Sequence, residues 1–422
     1  MANNFESNFT RKVMMKVAEK VESNRVMSKN VDTQRFSGAF NPNSGQSVDI
    51  KRPTDYTTIK TANGDVTGQG SDIITGKATA TVQDYLTVKV DYNEAAEALE
   101  MGTDMDRFWD DIATRIVTDH ETDFAAFMMA NSGLSVGTPG EGVDSWKEVA
   151  EAGALMQSVG VPNTASWYYA LNPYSQVALA NEQRSLGTNP EVGSANSKAT
   201  VMENFAGLTV KSATTLSSYM TGVGADRAGV LAAAPDQTYL SVKDTMKQAI
   251  SVSGLQANLV IKAGEEITIA GINRLNQATR MVMVDATGTP VPFTAVVTED
   301  VTLDGAGAGT LVISAPAIYE VGGAYNTVDD ALAGGEVVTL GGGASTIIQP
   351  NLFWHRDAFS IAYVDIKKLH STDTIYKGKD GITMRCSLYS NGDANQQTVR
   401  FDLRPAFGAI SPHMAGRGFG KA

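Results

Sequence analysis

The sequence predicts an α+β protein in which an antiparallel β domain interrupts a framework of long helices and long strands. Three observations lead there. Two stretches, at the N-terminus and at 104–130, carry apolar residues at helical spacing. Segments between 47 and 91 and near the C-terminus alternate apolar and polar residues, as half-buried strands do. From about Gly222 to Gly343 charge thins while Gly, Thr and Val rise, and short strand-like runs follow one another closely.

In chain order, "NFESNFTRKVMMKVAEKVES" places Phe5, Phe9, Val13, Val17 and Val21 at steps of four, with Met14 and Ala18 widening the stripe. Lys12, Lys16 and Lys20 fall on other faces, so the stretch is an amphipathic helix. An Asn- and Ser-rich segment from Ser28 to Gln46 follows, and the helix has no immediate neighbour in sequence to cover its stripe. A partner subunit is the expected cover, which makes Phe5, Phe9, Val13 and Val17 candidate subunit-interface residues.

"SVDIKRP" and "YLTVKVDY" alternate, and the turn-rich "TANGDVTGQGSDIITGKATAT" lies between them. Asn63-Gly64 is a hairpin signal. The expectation is a long two-stranded excursion over 47–91, with Asn63 and Gly64 at a contact-forming tip. An isolated hairpin is marginal in water, so it should rest on something else.

The stretch 104–130 reads as a spine helix. Thr103 can cap it, Asp104 and Asp106 suit the positive dipole end, and Asn131-Ser132-Gly133 ends it. At 1.5 Å per residue it would reach about 40 Å. Trp109, Ile112, Ile116, Phe124 and Phe127 should point into the core, with His120 near the edge of the stripe and Asp111 pairing with Arg115. "SWKEVAEAGALMQSVG" and "PYSQVALANE" give two further helices. In the β-rich part, "SVKDTMKQAIS" reads as helix-like. "EEITIAGI", "TRMVMVDATG", "VPFTAVVTEDVTL" and "GTLVISAPAI" read as strands of a small barrel or sandwich.

Bulk numbers bound the function. A chain of 422 residues can bury a large core. A net charge of −12 speaks against a protein that wraps nucleic acid through a basic face. The single cysteine, Cys386, leaves no disulfide framework, thiolate zinc cluster or CxxC redox pair, and fits a reducing compartment. No apolar region follows Arg11, Lys12 and Lys16 as a secretory leader would require. No apolar run approaches the roughly 20 residues that span a bilayer, so no membrane association is expected.

Candidate chemistry is thin. His120 with Asp119, Glu121 and Asp123 is the best ligand cluster, but the position four after His120 is Phe124, where a zinc-protease helix has its second histidine. "DGAGAG" and "GGGAS" are glycine-rich but lack the Lys-Ser/Thr and the following helix of a phosphate loop. Cys386 has no histidine near it in sequence and reads as a buried thiol. His355 sits beside Arg356 and Asp357 and reads as structural. No GxSxG elbow exists. No catalytic residue, metal site or cofactor is expected.

Three stretches carry a family resemblance: "IKAGEEITIAGINRLNQATR" with "FTAVVTEDVTLDGAGAGTLVISAPAI"; "NLFWHRDAF"; and "GITMRCSLYSNGDANQQTVRFDLRPAFGAISP". With the layout of the other elements, they resemble the HK97-like major capsid proteins of tailed phages, and within them the phage P22 coat-protein family with its inserted β-barrel. The resemblance implies an N-terminal arm (1–46), an extended E-loop hairpin (47–91) and a peripheral domain (92–160 and 365–422). It further implies an axial domain (161–221 and 344–364) and a β-barrel insertion domain (222–343). It also implies self-assembly of hexamers and pentamers into an icosahedral shell around double-stranded DNA held only non-specifically. A scaffolding protein, a portal protein, assembly in the host bacterial cytoplasm and residence in the virion capsid belong to the same implication. The rival readings are an encapsulin-like compartment shell, a secreted β-rich adhesin, and a metal-dependent enzyme built on Asp119, His120 and Asp123.

Overall fold

In a computed structural model the described residues are 5–36, 45–68, 70, 73–93, 105–162, 166–184, 190–370, 373–378, 381–391, 393 and 395–421. Thr103 and Asp104, expected to open the spine helix, lie outside them. The larger helices are α1 (Phe5–Asn24), α2 (Met105–Asn131), α3 (Trp146–Val159), α4 (Pro173–Gln183) and α5 (Pro190–Ser197). The chain forms two compact units. One joins Met1–Ile50, Thr79–Ala125 and Phe359–Gly408; the other joins Lys51–Ala78, Ala126–Ala358 and Ala409–Ala422.

In the first unit an antiparallel sheet runs in the order Thr374–Lys377, Thr383–Asn391, Gln396–Leu403, Leu86–Asn93. Register builds apolar rows across three strands. Met384, Leu403 and Leu86 align, as do Cys386, Phe401 and Val88, and Leu388, Val399 and Val90. Trp109 of α2 meets Phe401 edge-on at 6.0 Å, so the helix covers these rows. Helix α1 lies against Thr374–Lys377 and Thr383–Asn391. The expected pairing of 47–51 with 85–92 is corrected. Ser47–Lys51 neighbours Lys77–Val82, while Leu86–Asn93 pairs along its whole length with Gln396–Leu403. The reason is the alternation itself: Leu86, Val88 and Val90 meet Leu403, Phe401 and Val399 in register, burying apolar against apolar.

The second unit holds a six-stranded sheet in the order Leu134–Val136, Ala415–Gly418, Asn351–His355, Trp167–Leu171, Leu208–Ser212, Asn204–Phe205. Helix α3 packs its Val149, Ala152, Met156 and Val159 with Trp167, Tyr169 and Leu208 of that sheet. The sequence sets its ends. Ser145 and Glu148 form a reciprocal capping box, and Gly160 takes the left-handed conformation at the C-terminus.

The same unit contains a closed barrel of Ala228–Leu231, Lys247–Ser253, Glu266–Asn273, Pro292–Val297, Gly309–Ser314 and Val337–Leu340. Its interior is filled by Leu231, Ile250, Val252, Ile267, Ile269, Phe293, Leu311, Ile313 and Val338, among others. The helix expected over 241–251 is corrected. Only Tyr239–Val242 is helical, and Lys247–Ser253 is a barrel strand because Gln248, Ile250 and Val252 point inward with period two. The chain enters and leaves this part through a two-stranded stem, Tyr219–Met220 against Ile347–Ile348. Thr221 Oγ1 closes the stem by donating to the Gly343 carbonyl at 2.6 Å. With both ends tied together, a whole domain inserts without disturbing the sheet around it.

Candidate functional site

Helix α2 concentrates the residues that a catalytic or metal site would have used. Trp109, Ile112, Ile116 and Phe124 are buried as its stripe predicts, and Phe127 is half-buried. His120, expected near the edge, is wholly buried. Its Nε2 lies 3.1 Å from the Tyr363 hydroxyl, and Arg25 Nη1 donates to that same oxygen at 3.3 Å. Burial, with the Arg25 charge second, drives the His120 imidazole down to about 3, so it is neutral at physiological pH.

The acidic residues divide by position. Arg115 pairs with Asp119 at 3.1 Å, one turn C-terminal, where pairing with Asp111 was expected. Asp123 is exposed, and its pKa is raised by partial desolvation and by Asp119 and Asp84. Glu121 is 2% exposed and turned inward. Its carboxylate accepts from the Met27 amide at 2.7 Å, the Ser28 amide at 3.1 Å and the Ser28 hydroxyl. It therefore stitches the end of the α1 segment to the spine helix. Sequence reasoning passed over this role. The available signal was that Glu121 continues the apolar row of Val117, Phe124 and Ala125 at helical spacing. Asp119, His120 and Asp123 thus do not converge, and among the described residues no group of three or more His, Cys, Asp and Glu is placed to hold a metal ion.

Cys386 is buried, and desolvation, reinforced by Asp373 and Asp402, pushes its thiol up to about 12. His355 is buried in its strand, and its Nδ1 accepts from the Asp357 amide at 3.1 Å. Among the described residues no helix is long and apolar enough to cross a membrane.

The candidate interface residues fare differently from one another. Val13 and Val17 are 7% and 1% exposed, covered with Met14, Ala18 and Val21 inside their own chain. The interface role expected for Val13 and Val17 is corrected to core packing, because α1 finds its cover on the adjacent strands. Phe5 and Phe9 belong to α1, and their side chains lie outside the described residues. Asn63 and Gly64 are exposed in a turn, where Asn63 Oδ1 accepts from the Asp65 amide at 3.2 Å and Gly64 has φ +75°. Between Lys51 and Lys77 no strand is formed among the described residues, and Tyr56, Ile59, Val66 and Ile73 are exposed.

A loop that presents apolar side chains to solvent, and a helix whose His120 and Glu121 are used in packing and not in chemistry, are the pattern of a building block. Comparison with known proteins decides which one. The family model for the P22 coat protein, gene protein 5, matches residues 1–420. The chain belongs to the P22 coat-protein family. It is 34% identical over 425 residues to the major capsid protein of Acyrthosiphon pisum secondary endosymbiont phage 1, covering all of both chains. Among solved structures it is similar to one from Mycobacterium phage Che8, with a TM-score of 0.48, 10% identity, and 93% and 90% of the two chains covered. It is also similar to the capsid structure of cyanophage P-SCSP1u, with a TM-score of 0.46, 11% identity, and 91% and 85% covered. The function is that of a structural, shell-forming phage capsid subunit, and the family is not one of enzymes. The encapsulin-like alternative is not favoured.

Proposed function

We propose that this subunit assembles as hexamers and pentamers into a closed icosahedral shell around double-stranded DNA, guided by a scaffolding protein and interrupted at one vertex by a portal. Assembly takes place in the host bacterial cytoplasm, and DNA is held without base recognition, in keeping with a net charge of −12. The observation that carries the reading is the loop from 52 to 76. It forms no strand among the described residues, yet it bears Tyr56 at 53% and Ile73 at 73% exposure. Such side chains gain from burial on a neighbour, and a shell supplies a neighbour for every loop.

In this reading Asn63 and Gly64 form the tip that docks on the next subunit, and Phe5 and Phe9 contact a neighbour ahead of the part of α1 that the chain covers itself. The 1–46, 47–91, 92–160 with 365–422, 161–221 with 344–364, and 222–343 segments serve as arm, loop, peripheral, axial and insertion domains. The test is expression alone and with the neighbouring genes of its phage, followed by electron microscopy. Closed shells of uniform size, formed in larger yield with a scaffolding protein, support the proposal. A chain that stays monomeric at high concentration in both cases overturns it.

A further inference from the structure

We propose that the inserted barrel sets the direction in which the loop 56–73 leaves the subunit, with Tyr325 as the positioning residue. The Asp55 amide, on the outgoing limb, donates to the Tyr325 hydroxyl at 3.0 Å. That hydroxyl donates to the Ile74 carbonyl, on the returning limb, at 3.1 Å. One phenol therefore ties both feet of the loop together and to the barrel. Tyr325 lies in the connection between barrel strands Gly309–Ser314 and Val337–Leu340. Its ring is stacked on Tyr239 at 3.6 Å with an interplanar angle of 1°, which fixes where the hydroxyl points.

Other contacts converge on the same feet. Arg280, in the connection between strands Glu266–Asn273 and Pro292–Val297, forms an ion pair with Asp55. Its Nη1 also donates to the Asn326 carbonyl at 2.7 Å, which links the two barrel connections to each other. Asp244 accepts from the Lys77 amide at 3.3 Å. Gly76 lies so close to the barrel that a Cβ there would overlap the Lys243 carbonyl oxygen. Arg52 is buried and ties the two limbs through Lys77, its Nε donating to that carbonyl at 2.9 Å.

The geometry explains why a coat subunit needs such a clamp. Nine residues from Tyr56 to Gly64 reach up to about 30 Å when extended. An error of about 10° at the feet displaces a tip at that reach by about 5 Å, more than the width of a side chain. Backbone bonds between two limbs cannot remove that error, because they hold the limbs to each other and not to the body. The barrel contacts do.

The proposal rests on the reading that the loop docks on a neighbouring subunit, and the experiment separates the two. Hydrogen–deuterium exchange is measured on full-length protein over peptides covering 50–57 and 73–78, beside shell yield and diameter by electron microscopy. Tyr325→Phe removes one oxygen and keeps the stack. It is expected to speed exchange at both feet by about tenfold or more while barrel-strand peptides are unchanged. Arg280→Asp is expected to cut closed-shell yield by about tenfold, and Arg280→Asp with Asp55→Arg to restore it to within about twofold. Unchanged exchange in Tyr325→Phe overturns the proposal. So does a normal yield and diameter from Arg280→Asp, or a failure of the double variant to recover. If the unsubstituted chain builds no shell, the assembly reading fails, and the exchange result alone upholds or overturns the clamp.

Discussion

Removing the Glu121 carboxylate should loosen the junction after α1 more than any change to the exposed acids of the spine helix. Glu121 is buried and accepts from two backbone amides and one hydroxyl, those of Met27 and Ser28. The Ser28 hydroxyl can turn to another acceptor, but the two amides cannot. A buried amide left without an acceptor costs about 1–3 kcal/mol, so Glu121→Ala is expected to destabilise by about 2–6 kcal/mol. Asp119 pairs with Arg115, and both side chains are well exposed, so Asp119→Asn is expected to cost less than about 1 kcal/mol. Ile116, at 1% exposure, sets the scale, since Ile→Ala in a core costs about 2–5 kcal/mol. Urea unfolding of the three variants, with amide exchange over residues 25–31 as a local readout, gives the order. Glu121→Ala and Ile116→Ala should both fall well below Asp119→Asn, and only Glu121→Ala should expose 25–31 selectively. If Glu121→Ala lies within about 0.5 kcal/mol of the unsubstituted protein, or Asp119→Asn is the most damaging, the structural account of this helix is wrong.

Acid should weaken the fold through its buried histidines. His120 and His413 both have imidazoles lowered by burial to about 3, so the unfolded chain binds their protons first and stability falls from about pH 6.5 towards pH 3. Each contributes up to about 1.4 kcal/mol per pH unit in that window. His120→Gln should flatten the dependence of melting temperature on pH, and an unchanged slope would refute the assignment. Truncation tests the corrected role of α1: deletion through Asn30 removes the buried Val13, Met14, Val17 and Val21 and should unfold the first unit, whereas deletion through Thr10 should leave a folded subunit that assembles poorly. Circular dichroism and sedimentation would show either truncation behaving as the other should. Gly307 has φ +71° and leaves no room for a Cβ against the Leu255 carbonyl, so Gly307→Ala should lower stability by more than about 1 kcal/mol in a thermal melt.

What the sequence shows and hides follows from the range of the interactions. Local periodicity sufficed for α1, for the buried stripe of α2, and for barrel strands such as Glu266–Asn273 and Gly309–Ser314. It also sufficed for α3, because Ser145, Glu148 and Gly160 write both ends of that helix into the chain. It failed where a partner is remote. Leu86–Asn93 alternates well enough to pair with many strands, and only its register with Gln396–Leu403, some 300 residues away, selects one. Lys247–Ser253 looked helical because Lys243, Asp244 and Lys247 mask a period of two that begins only at Gln248. The sequence points Val13 and Val17 towards another subunit because the strands against which α1 lies come more than 350 residues later. Glu121 was hidden for a different reason: a carboxylate satisfied by amides leaves no trace in composition, and only its place on the apolar row hints at it. The two feet of the 52–76 loop show the same limit, since nothing near Asp55 or Ile74 announces Tyr325.

This chain is a shell-forming subunit, and its loop at 52–76 is proposed to find its cover on a neighbour. The most direct measurement is electron microscopy of the assembled protein, with amide exchange over 56–68 compared between free subunit and shell. Closed icosahedral particles are expected, with strong protection of that loop in the shell alone. Particles in which 56–68 exchanges as fast as in the free subunit, or a protein that never leaves the monomer state, would contradict the proposal.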